Sequence, residues 1–144
     1  MAWAWIENGN IFVAYSEDVV PKGVAVIEVP DNATPSDLAI DETGQLRLKT
    51  EQEKLADLKQ EKLQQLKSYV SSLLSQTDWV IIKLQSIREE KWPDTEIQVE
   101  MQKYQPILDR RKAIREWNLQ MKQVIQNATT IEELEVIRIE FPFE

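Results

Sequence analysis

The side chains available for chemistry in this chain are carboxylates, lysines, arginines and hydroxyls, since it has 0 His and 0 Cys. Without imidazole or thiolate there is no Ser-His or Cys-His nucleophile, no thiolate or imidazole metal site and no disulfide. Carboxylate or lysine catalysis and an oxygen-ligand site for Mg²⁺ or Ca²⁺ stay open. The densest acidic turn is Glu89, Glu90, Asp94 and Glu96. It lacks the spaced loop with a central glycine that calcium sites use, so it reads as a solvated helix terminus. The one basic cluster, Asp109-Arg110-Arg111-Lys112 with Arg115 and Glu116, mixes both signs at helical spacing. That pattern is a surface lattice of ion pairs rather than a phosphate grip. Asn32-Ala33-Thr34 and Asn127-Ala128-Thr129 match the glycosylation sequon, but turn and helix-cap roles account for both. No residue is assigned a catalytic, metal-ligating or cofactor-binding role, and no cofactor is expected.

Aromatic side chains offer binding surfaces instead. Trp79 and Trp117 sit in apolar helical stripes and are expected in the core, Trp79 at its centre. Trp3, Trp5 and Phe12 lie in an N-terminal hairpin and are candidates for a partner or oligomer seam.

The elements that must position these residues follow from composition and periodicity. At 144 residues and 42% hydrophobic content the chain buries a real core. Its net charge is −8, with −5 in residues 1–50 and −3 in the rest, so neither part presents a basic surface and nucleic acid is not an expected partner. The first residues carry no basic signal region and no apolar run approaches the ~18 residues of a membrane span. The chain is therefore expected to be neither exported by a standard signal nor membrane-spanning.

All three glycines and three of the six prolines fall before Thr50. The fold class is α+β, with a small antiparallel β domain of hairpins over 1–50 and a helical bundle or hairpin over 51–144. Asn8-Gly9 is a preferred two-residue turn, and it sets Trp3 opposite Ala14, Trp5 opposite Phe12 and Ile6 opposite Ile11. Both hairpin faces are then apolar and need cover, from within the chain or from a partner. A strand is expected over Val24–Val29, and a weaker hairpin joins Leu38–Ile40 to Gln45–Lys49. A helix starts at Glu51, and its Leu63, Leu66, Val70 and Leu73 fit a heptad seam that can face another chain. Thr77 or Asp78 caps a second helix that stops by Trp92-Pro93. A third opens at Asp94 or Thr95, with a kink or fresh start at Gln105-Pro106, and Thr129 or Thr130 caps a last short one.

Four stretches resemble known proteins. Ile27-Glu28-Val29-Pro30-Asp31, Pro35-Ser36-Asp37-Leu38 and Gly44-Gln45-Leu46-Arg47-Leu48-Lys49 resemble the small N-terminal β domain of short tail and tail-fibre-associated proteins of tailed bacteriophages. Leu74-Ser75-Gln76-Thr77-Asp78-Trp79 is similar to the S-x-T-D-W segment of phage tail-fibre assembly and tail-assembly-chaperone families. Tyr104 to Trp117 occupies the place of their Y…R helix, and Asn127 to Glu135 that of their closing A-T-T-x-E-E-L turn. The resemblance implies a non-enzymatic chaperone or adaptor that binds a tail fibre or tail protein in the host cytoplasm. A permanent tail or baseplate component of the virion is the near alternative. A different class, an acidic inhibitor of a host protein, needs a carboxylate-lined face, and the basic residues interspersed through 51–144 argue against it. The partner-binding residues are expected to be Trp3, Trp5, Phe12, Leu63, Leu66, Val70 and Leu73, in a homo-oligomer or an assembly completed by the fibre.

Overall fold

The computed structural model describes residues 1–143. It is α+β: small antiparallel sheets come first and helices follow. Two compact units divide at Lys54–Leu55, a few residues past the compositional boundary at Thr50.

In the first unit, β1 (Ala2–Glu7) and β2 (Asn10–Ala14) pair in the expected register, Trp3 with Ala14 and Trp5 with Phe12. The turn works because Asn8 and Gly9 both take positive φ, 54° and 79°, which matches the twist of the flanking strands. β3 (Ile27–Val29) adds antiparallel to the other edge of β1, giving the order β2-β1-β3. The strand expected from Val24 is shorter: Val24, Ala25 and Val26 leave the ladder and instead line a cavity of about 510 Å³ with Ile6 and Leu46. β4 (Leu38–Ile40) and β5 (Leu46–Leu48) make the second hairpin. One face of the first hairpin is covered within the unit, Ala2 and Ala4 packing with Val29, Ala33 and Leu38, so that face requires no partner.

Polar clips organise the turns. Asp41 Oδ1 accepts from the Thr43 hydroxyl, Thr43 N and Gln45 N, which holds its carboxyl below the usual range. At Thr34-x-x-Asp37 the Thr34 amide donates to Asp37 Oδ2 while the Asp37 amide bonds the Thr34 carbonyl. The Thr34 amide, with the Lys54 ammonium at 3.7 Å, holds Asp37 low as well. Thr50 and Glu53 form a reciprocal capping box at the start of α1 (Glu51–Ser75): Glu53 N donates to Thr50 Oγ1 and Thr50 N to Glu53 Oε1. Arg47 grips the same carboxylate at 2.7 and 2.9 Å and is the main reason that it falls to about 2.

In the second unit, α2 (Asp78–Glu89), α3 (Asp94–Asn127) and α4 (Ile131–Glu135) follow. α3 runs antiparallel to α1: Lys59 Nζ reaches Gln126 O and Arg111 reaches Leu74 O, fifteen residues apart along each helix (74−59 and 126−111). Its first half packs on α2, with Tyr104 among Val80, Leu84 and Ile87. Its second half packs on α1, where Ile114, Trp117 and Ile125 join Leu66 and Val70, and α4 and the tail close that core with Leu134 and Phe141. Thr130 caps α4 as expected, accepting from Glu133 N. The helix does not restart at Pro106. Proline forfeits one ladder bond, and Tyr104, Ile107 and Leu108 on either side of it pack into the α2 core that keeps the helix continuous. No helix among the described residues is long and apolar enough to cross a membrane.

Candidate functional site

The helical stripe of α3 that contains Tyr104, Ile107, Ile114 and Trp117 also contains Arg111, at i+7 from Tyr104 and i−3 from Ile114. Arg111 is therefore on the buried side, at 6% exposure, instead of in a surface lattice. Its guanidinium closes the α1–α2 turn: Nη1 donates to Leu74 O at 2.7 Å and Thr77 Oγ1 at 2.9 Å, and Nη2 pairs with Asp78 Oδ1 at 3.0 Å. A fork of rigid donors suits this task, since it bonds one of the last carbonyls of α1 and the first acidic residue of α2 together. Thr77 occupies the cap position of α2 but its hydroxyl bonds Leu74 O and Arg111, not the helix amides. The expected surface pairing of Asp109 is replaced by a bond from Gln105 Nε2, and Arg110 lies over the Phe141 ring and donates to Phe143 O.

Beside this clip, Trp79 meets Tyr104 edge to face, with ring centroids 5.6 Å apart. Trp79 is 51% exposed, which corrects its expected place at the centre of the core. Val80, Leu84 and Ile87 face inward instead. Trp79, Val80, Ile81 and Ile82 wrap the first turn of α2 with apolar residues, so periodicity there selects no face. Ile82, one turn on from Trp79, is 63% exposed. Below them the Tyr104 hydroxyl accepts from Lys83 Nζ at 2.9 Å, with Lys83 and Lys103 both 5.3 Å from its ring centre. The lysine bond lowers the phenol's pKa and raises that of the Lys83 ammonium. The result is a braced aromatic and aliphatic patch on α2.

The sequence-assigned partner residues divide between the two units. Trp5 is 5% exposed and stacks on Phe12, 41% exposed, at 5.7 Å, while Trp3 is half-buried. Leu66 and Val70 are buried in the chain's own helical core, with Leu63 and Leu73 packed against it. Two of the four heptad positions, Leu66 and Val70, are thus covered by α3, α4 and the tail, while Leu63 and Leu73 stay half-buried at the edge of that core. The reason is the antiparallel return of α3, which a heptad within one helix does not reveal. Trp117 is in the core as expected, between Tyr69 and Phe141. Glu89, Glu90, Asp94 and Glu96 are exposed, and Glu90 accepts the Trp92 indole N–H.

No family model, curated protein or solved structure matches the chain. What can be said of its action rests on these surfaces.

Proposed function

We propose that this chain is a non-enzymatic chaperone or adaptor for a phage tail fibre or tail protein, acting through contact surfaces. The reading is supported by the meeting of the stretches that carry the resemblance: Arg111 clips the Thr77-Asp78 turn, and Tyr104 braces Trp79. The observation that carries it is the exposed pair Trp79 and Ile82 on that braced frame. A large aromatic held in one orientation by its neighbours loses little freedom on binding and is the kind of anchor that dominates protein interfaces. Phe12, with the half-buried Trp3, gives a second apolar surface through which we place self-association.

Co-expression with the products of neighbouring genes tests the reading. A fibre or tail protein is expected to co-purify with the chain and to be lost on Trp79→Ala or Ile82→Glu, with the fold retained. Failure of every neighbouring tail protein to co-purify would sink the proposal.

A further inference from the structure

The sheet of the first unit runs β2-β1-β3, so β2 is an edge strand. Which of its backbone groups face outward follows from the turn. A two-residue turn makes Glu7 and Asn10 a hydrogen-bonded pair, and bonding alternates from there: Asn10, Phe12 and Ala14 bond β1, while the N–H and C=O of Ile11 and Val13 point away from it. Ala2 and Ala4, the alternate residues of β1, are left for β3, where they meet Val29 and Ile27. Among the described residues no backbone group outside the β1–β2 pair bonds Ile11 or Val13. None of Asn10, Ile11, Phe12 and Val13 is buried, and Phe12 is 41% exposed. Edge strands are ordinarily guarded against pairing by a lysine, a proline or an inward-pointing charge. β2 has none of these: the run Asn8-Gly9-Asn10-Ile11-Phe12-Val13-Ala14-Tyr15-Ser16 carries no charge and no proline.

We infer that β2 pairs edge to edge with the β2 of a second copy of this chain, antiparallel about a two-fold axis at Phe12. The strand is complementary to itself in that register. The axis sets Ile11 opposite Val13 of the other copy, and these are the residues whose backbone groups face outward, so each such pair exchanges two hydrogen bonds. Phe12 meets its own copy as a non-bonded pair, the closer kind, with Cα atoms roughly 4.5 Å apart. The stack of Trp5 on Phe12 then continues across the seam, and the aromatic ring that this unit leaves exposed is covered. On the other face Ile11 and Val13, half-buried at the rim of the Ala2–Leu38 cluster, cover each other. Charge points to the same occupant: two chains of −8 repel one another, and a seam with no charged residue on either side is where they can approach. A strand of any sequence could meet the free backbone groups, but the match of Ile11 with Val13 about Phe12 selects a second copy. This deepens the self-association placed at Phe12 above and is separate from the Trp79 patch and the tail-fibre reading.

The test is sedimentation of the full chain across micromolar concentrations, together with amide hydrogen exchange. The chain is expected to dimerise, more tightly at high salt because screening relieves the repulsion, and exchange of the Ile11 and Val13 amides is expected to slow as dimer forms. Phe12→Lys is expected to weaken the dimer about tenfold or more by setting like charges side by side across the axis, and Phe12→Glu to do the same. Mixing the two variants is expected to restore a mixed dimer, since opposite charges then meet at the axis. The Trp3 and Trp5 indole resonances report whether each variant keeps its hairpin, and exchange in the unaltered chain decides the matter where one does not. Trp79→Ala is expected to dimerise as the parent does, which separates this seam from the tail-protein contact. A monomer at every concentration, a dimer whose Ile11 and Val13 amides exchange as fast as in the monomer, undiminished dimerisation by Phe12→Lys, no rescue on mixing folded variants, or loss of the dimer in Trp79→Ala would each overturn the inference. So would protection of those amides by an added tail protein with no dimer formed, which would give the edge to that partner.

Discussion

In the β unit the core cluster is built mostly from small residues, Ala2, Ala4 and Ala33 beside Val29 and Leu38, with Trp5 the one large buried side chain, whereas the main helical core is built from Leu66, Ile114, Trp117, Ile125, Leu134 and Phe141. The β unit's turns are held by polar clips: the Asp41 loop, the Thr34–Asp37 box and the Thr50–Glu53–Arg47 junction. Truncating a large buried side chain lowers stability steeply through lost burial and a cavity, while exposed polar clips each contribute little and depend on protonation. The two units should therefore fail in different ways.

The sharpest test of that contrast is Trp117→Ala, expected to cost about 3 to 5 kcal/mol in chemical denaturation, because it opens a cavity between Tyr69 and Phe141. A loss below about 1 kcal/mol would erase the distinction between the units. Next comes Arg111→Leu, a polar clip inside the helical unit. Removing its fork breaks charge-assisted bonds to Leu74 O and Thr77 Oγ1 and the pair with Asp78, and is expected to cost about 2 kcal/mol.

Thr50→Ala is expected to cost about 1 kcal/mol through loss of the capping box. The same junction should be acid-sensitive. Glu53 titrates near 4.5 when unfolded and at about 2 when folded, so its contribution is whole above pH 4.5 and is lost as pH falls towards 2. Following the Trp3 and Trp5 indole resonances on acidification should show the β unit loosening across that window, and Glu53→Gln should remove part of the pH dependence.

Trp79→Ala is expected to cost about 1 kcal/mol or less, since half the ring is already in water and its contact with Tyr104 is a single edge-to-face pair. A loss comparable to that of Trp117 would show that side-chain size rather than burial sets the cost. The smallest effect is spectroscopic. The Tyr104 phenol should ionise below its ordinary range in an alkaline absorbance titration, as Lys83 favours the phenolate form, and Lys83→Met should move it up.

Much of this fold is legible in the chain itself. Asn8-Gly9 sets the hairpin register because only residues tolerant of positive φ close a two-residue turn. The absence of glycine after Thr50 and the three-and-four spacing of leucines place the helices, and Thr130 marks the last cap. Thr50-x-x-Glu53 and the position of Arg111 in an apolar stripe were also legible signals, though charge type alone points Arg111 outward. Local sequence determined these features because turns, caps and amphipathic faces are settled within a few residues. Tertiary structure alone decided which side of the all-apolar start of α2 faces inward, that Leu66 and Val70 are buried with Ile114, Trp117 and Ile125 of α3, and that Lys67 and Lys122 share a groove. The first depends on α2 packing against the start of α3, and the other two on the antiparallel return of α3 beside α1, a pairing of residues some fifty positions apart that no local pattern encodes.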